Sequence, residues 1–135
     1  MDTLTNKESR KLINTTLWTR EALAWSAAFI DGEGTICLDK NLKEGKITGI
    51  TVMAYQKDPE LLYRLEELFG GRIAGPNSSN VYYWRVRARD QVYAILCALY
   101  PWFSSKRKRE TELCLNVYKA PMPVSINYLK ERYAN

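Results

Sequence analysis

Ser26-Ala27-Ala28-Phe29-Ile30-Asp31-Gly32-Glu33-Gly34, followed by Thr35-Ile36, is the stretch on which the fold turns. It predicts the last turns of a tightly packed helix, an acidic glycine corner and the start of a strand. Residues 25–30 carry no charge, and Ala24, Ala27 and Ala28 share one face at helical spacing. Small side chains on such a stripe let another backbone come close. At the corner, Asp31 and Glu33 alternate with Gly32 and Gly34. Glycine leaves a helix through the left-handed region without steric cost. A helix C-terminus carries partial negative charge, so an acid there is unfavourable unless a cation compensates. The corner therefore reads as a place where a carboxylate is held out to a metal ion.

Outward from the corner, Thr19 is the predicted N-cap of a helix over 20–31, with Glu21 in its first turn. After it, 35–40 and 47–56 read as the strands of a hairpin joined by the polar turn 41–46. Asp58-Pro59 starts a helix whose Leu61, Leu62, Leu65, Leu68 and Phe69 form an apolar face. Gly70-Gly71 ends it. A brief strand at 72–74, a turn at 75–80 and a strand at 81–88 follow. In the last strand Tyr83, Arg85 and Arg87 alternate with Trp84, Val86 and Ala88, which predicts one basic, aromatic face and one core face. Asp90 should cap a helix to 100, interrupted by Pro101, and Ser104 or Ser105 a helix to 119. Pro121 and Pro123 break the chain before a terminal helix at 125–133, and 1–16 reads as a mobile arm or short leading helix.

Composition narrows the chemistry. The 135 residues are 46% hydrophobic, enough for one domain with a real core. Twenty Lys and Arg against fifteen Asp and Glu leave a net charge of +5, which favours a polyanionic partner. There is no histidine, so serine triads and His-ligated zinc are excluded. Cys37, Cys97 and Cys114 lack paired spacing and read as reduced thiols of an intracellular protein. No apolar run is long enough to span a membrane, and no signal peptide is visible. A hydrolase built from this chain works with carboxylates, lysines and a hard metal.

The stretch from Ser26 to Gly34 resembles the signature of the LAGLIDADG homing endonucleases. Its last six positions fit closely; Ser26 replaces the usual leucine and Ala28 the usual first glycine. The element order agrees from about Trp18 to Lys119. The resemblance implies an α/β, αββαββα fold: a four-stranded antiparallel, saddle-shaped sheet with helices packed on one face. Residues 18–135 would form the endonuclease domain and 1–17 an arm. A single motif per chain implies a homodimer, its helices meeting through Ala24, Ala27, Ala28 and Asp31.

The same resemblance implies an endonuclease of duplex DNA that uses Mg²⁺ on a long, nearly palindromic site, with no membrane and no small-molecule substrate. Glu33 would be the essential metal ligand, with a carbonyl such as that of Gly32 joining an oxygen shell. Read alone, Glu33 is only a solvated turn residue. Gln56 matches a polar position that orders water, though it also reads as an ordinary strand end. Lys106, or alternatively Lys108, would be the active-site lysine. Their run Lys106-Arg107-Lys108-Arg109 opposes the helix dipole, a conflict that a docked phosphate would remove. The DNA face would comprise Thr35, Cys37, Asp39, Gly49, Thr51, Met53, Tyr55, Arg72, Ala74, Tyr83, Arg85 and Arg87, with Lys108 as a further DNA-binding residue. The alternative reading is a non-cleaving relative of the same scaffold, an RNA intron maturase or a transcriptional regulator.

Overall fold

In the computed structural model, which describes residues 12–41, 43–119 and 125–132, Thr19 opens α1 (Arg20–Glu33). Its hydroxyl accepts the Ala22 amide at 3.0 Å, the expected N-cap. The helix continues past Asp31, so Glu33 is its last residue rather than one beyond its end. Gly34 then enters β1 (Gly34–Asn41) with φ −109°, an extended conformation. The corner therefore makes no use of glycine's left-handed freedom. Gly34 is needed for space instead: a Cβ there would lie 2.8 Å from Ile30 O and 2.9 Å from Met53 O.

Strand β1 pairs antiparallel with β2 (Lys46–Gln56), Gly34 opposite Ala54 and Asp39 opposite Gly49, which is the predicted hairpin. Leu42, in its turn, lies outside the described residues. Asp58 Oδ1 accepts the Glu60 amide at 3.0 Å and so starts α2 (Glu60–Phe69), with Pro59 in the cap position. Gly70 and Gly71 end the helix at φ 74° and 87°, both left-handed. A Cβ on Gly71 would also sit 2.6 Å from Arg85 O.

Next come β3 (Arg72–Ala74), β4 (Tyr82–Val86) and α3 (Arg89–Leu99). Strand β4 is shorter than predicted, and Arg87 and Ala88 lie past its end. Asp90 is not a cap: the helix starts one residue earlier, Ala88 is the N-cap, and Asp90 sits in the first turn. A 3₁₀ turn at Tyr100–Trp102 absorbs Pro101. Ser104 then caps α4 (Ser105–Val117), and α5 (Ile126–Arg132) closes the described chain. Pro121, Pro123 and residue 133 lie outside the described residues.

The four strands run in the order β1-β2-β4-β3. Each is antiparallel to its neighbours. Ile36, Ile50, Val52, Ala54, Trp84 and Val86 alternate onto one face and are buried beneath the helices. Leu23, Ala27 and Ile30 of α1 cover it, with Leu62 and Leu65 of α2 and nearly all of α3. Phe69 lies between two tryptophans, 5.6 Å from Trp18 and 6.4 Å from Trp84. Both indoles are satisfied at 2.8 Å, Trp18 donating to Leu68 O and Trp84 to Gly70 O. The Asn14 amide also donates to Leu68 O, so 14–17, part of the expected arm, is tied to α2; residues 1–11 lie outside the described set. Among the described residues no helix is long and apolar enough to cross a membrane.

Candidate active site and nucleic-acid face

Two anomalies in the sequence resolve each other. Asp31 lies near the C-terminus of α1, and Arg107 lies in the first turn of α4; each opposes its own helix dipole. The two ends are packed together and exchange charges. Asp31 accepts from the Ser104 amide at 3.0 Å and the Ser104 hydroxyl at 2.8 Å, capping α4. Arg107 donates to Ile30 O at 3.2 Å, Asp31 O at 3.5 Å and Gly34 O at 2.6 Å, capping α1. Its Nε lies 3.7 Å from Asp31 Oδ1, and Nη1 pairs with Glu110 at 2.9 Å. Arg107's share of the dipole conflict is thus removed inside the chain.

Arg107 is the residue the basic run concealed. Its signal was spacing: Phe103, Arg107, Thr111, Cys114 and Leu115 are buried at helical intervals, so one arginine of the run belongs to the inward stripe. Lys108 is half-buried and lies 5.5 Å from the Tyr100 ring centroid. Lys106 stays exposed, with no partner among the described residues.

Glu33 is exposed, and no described side chain bonds its carboxylate. Arg107 reaches the carbonyls of Asp31 and Gly34 but not that of Gly32. Gln56 ends β2 two residues beyond Ala54, the partner of Gly34, which brings it to the corner end of the sheet. Lys106 lies between Ser104 and Arg107, both bonded to the corner. Glu33, Gln56 and Lys106 therefore gather at one end of the sheet. Oxygen donors of this kind suit a hard cation. One chain offers few of them: among the described residues no three His, Cys, Asp or Glu side chains cluster.

The outer face runs from this corner. Thr35, Met53, Arg85 and Arg72 form one row across all four strands, and Tyr55, Tyr83 and Ala74 form the next across three. Cys37 pairs with Thr51 and Asp39 with Gly49 further along. Tyr55 and Tyr83 lie 6.3 Å apart, and Arg85 lies over Tyr83 at 5.8 Å. Thr51 departs from the expectation: it is only 3% exposed and donates to Asp39 Oδ2 at 2.7 Å, so it supports the face without presenting itself. Arg87, past the strand end, comes 3.9 Å from the same carboxylate. Burial, then the Asp39 charge, push the Cys37 thiol up, leaving a neutral, soft side chain on the face.

The helix stripe also needs correction. Ala27 is fully buried against its own sheet and cannot meet a second chain. Asp31 is engaged by Ser104 and Arg107. Ser26 is buried too, its hydroxyl donating to Ala22 O at 2.7 Å. Trp25 stacks on Phe29 and carries Arg64 over its ring at 4.0 Å. The open stripe is instead Ala24, Ala28 and Gly32, spaced four apart, and a Cβ on Gly32 would meet nothing within 4 Å.

No protein-family model and no curated protein matches the chain. Solved structures do. The homing endonuclease I-CvuI, in complex with its target in the presence of 2 mM Ca, matches at a TM-score of 0.62 and 18% identity, over 76% of this chain and 69% of that one. The LAGLIDADG meganuclease I-AabMI bound to uncleaved DNA matches at 0.62 and 21%, over 72% and 36%. The group I intron-encoded homing endonuclease I-CeuI, complexed with DNA, matches at 0.59 and 19%, over 75% and 56%. Strand order, helix placement and these neighbours lead to one conclusion: the chain has the LAGLIDADG homing-endonuclease fold.

Proposed function

We propose that the protein is a homodimeric, Mg²⁺-dependent DNA endonuclease that cuts one phosphodiester in each strand of a long, nearly palindromic site. The observation that carries this reading is Glu33. An exposed carboxylate with no partner among the described residues stands at the end of a helix that Arg107 and Asp31 hold rigid. It sits where an outward face rich in arginine and tyrosine begins.

Glu33 from each copy, with the Gly32 carbonyl, would hold the metal. When bound, the ion lowers the pKa of an attacking water and stabilises the leaving oxygen. Gln56 would orient that water by hydrogen bonding. Lys106 would offset the charge of the scissile phosphate. Pairing two copies through Ala24, Ala28 and Gly32 would bring two carboxylates together, which one chain lacks. Residues 18–135 would be the endonuclease domain, at work wherever its DNA lies.

The test is incubation with Mg²⁺ and a library of duplexes. The proposal expects double-strand cuts by the native chain and uncut but bound duplex with Glu33→Gln. Binding to structured RNA with no cutting would overturn it in favour of a non-cleaving derivative.

A further inference from the structure

Among the described residues, no side-chain contact steadies Gly32 and Glu33 where α1 meets β1. A Cβ on Gly32 would meet nothing within 4 Å, and no described side chain bonds the Glu33 carboxylate. The backbone on either side of the two is bridged instead, by one nitrogen. Arg107 Nη2 donates to Ile30 O at 3.2 Å and Asp31 O at 3.5 Å before them, and to Gly34 O at 2.6 Å after them. Its other nitrogens face Glu110 and Asp31, and only 11% of the side chain is exposed. Hydrogen bonds so far from bulk water are little weakened by solvent. Two carboxylates face the one guanidinium, so the bridge brings no net positive charge to the corner.

From this geometry, and resting on the Mg²⁺-dependent reading above, we infer that Arg107 is a positioning residue for the divalent cation. It fixes the backbone from which the Gly32 carbonyl and the Glu33 carboxylate project. It thereby sets how tightly the corner takes up the ion, without touching the ion or the duplex. Mg²⁺ demands near-ideal geometry from its oxygen ligands, so play in that backbone costs affinity. Loss of a group bonded behind metal ligands typically weakens binding about 10–100-fold. Lysine is no substitute here. A point donor on a flexible stem keeps the charge but does not span both sides of the corner and Glu110 at once.

The experiment uses Ca²⁺, which takes the same kind of oxygen ligands. Isothermal titration follows its uptake by the full chain bound to a duplex that the native chain selects, well below the melting temperature of every variant. Arg107→Lys should weaken Ca²⁺ uptake about tenfold or more, with duplex affinity in EDTA unchanged. Glu110→Gln is the comparator, since it weakens the pair with Nη1 and leaves the carbonyl bridge in place. It should lower the melting temperature and leave Ca²⁺ uptake as it is. If Arg107→Lys does not fold, Arg107→Gln carries the test, because its shorter side chain cannot bridge the corner either.

Native Ca²⁺ affinity in Arg107→Lys overturns the positioning role while leaving the metal site intact. So does a loss of affinity that follows melting temperature alike in the Arg107 and Glu110 variants, which would make Arg107 structural only. Ca²⁺ uptake that survives Glu33→Gln, or a native complex that takes up none, overturns the metal reading and the positioning role together.

Discussion

Two Asp–Arg pairs mark the two ends of this protein, and they differ in burial. Asp31–Arg107 joins two helix ends, with only 24% and 11% of the side chains exposed, and three backbone oxygens complete the arginine's coordination. Asp39–Arg87 sits on the outer face at 3.9 Å, with 26% and 59% exposed. In the first pair each guanidinium nitrogen has an oxygen partner, so the arginine is an internal brace. In the second the geometry is loose and solvent screens the charge, so the arginine remains open to a partner. The same two residue types therefore serve architecture at one end and leave a guanidinium exposed at the other. Desolvation and hydrogen-bond count separate the roles, not charge.

The largest test concerns what the brace supports. Glu33→Gln should lower cleavage by at least about a hundredfold while the melting temperature holds, because the exposed carboxylate bonds nothing in its own chain. A matched loss of stability in calorimetry would mean that Glu33 is structural. Arg107→Met should destabilise the fold by about 3 kcal/mol in urea unfolding, since it removes the ion pair with Asp31 and a donor shared by three carbonyls. A change below about 0.5 kcal/mol would erase the contrast with Arg87→Gln, for which that small value is expected. Asp31→Ala should cost about 1 kcal/mol through the lost hydrogen bonds from Ser104, which stays as the N-cap.

Ala28→Arg places a long charge on the open stripe of α1. Sedimentation should then show a monomer in place of a dimer, with folding intact. The smallest effect is chemical. Burial raises the Cys114 thiol to about 11, so at pH 8 only about one in a thousand is thiolate. Half-buried Cys37, whose thiol is also raised, should alkylate before Cys114, and the reverse order by mass spectrometry would misplace α4 against β1.

Most of the elements could be read from local patterns. Alternation in 81–88 separated Trp84 and Val86 from Tyr83 and Arg85 because side chains in a strand point to opposite faces, and cross-strand pairing keeps that division. Gly70-Gly71 and the Thr19 cap were legible because capping depends on residues a turn apart. The candidate site was less legible. Ala27 shares a helical stripe with Ala24 and Ala28, yet only packing reveals that one edge of that stripe is core and the other open. Thr51 alternates onto the outer face but is covered there by neighbours that no spacing rule supplies.

The sequence by itself determined the acidic corner, the order of helices and strands, the division of the sheet into an apolar and a basic face, and the absence of histidine chemistry. These follow from periodicity and residue type, which act over a few residues. Only the tertiary structure decided which acid of the corner is engaged and which is free. Asp31 meets Ser104 across 73 residues of chain, and Arg107 meets Gly34 across the same separation. Contacts that distant arise from how layers pack, and packing alone turns Asp31 inward and leaves Glu33 exposed.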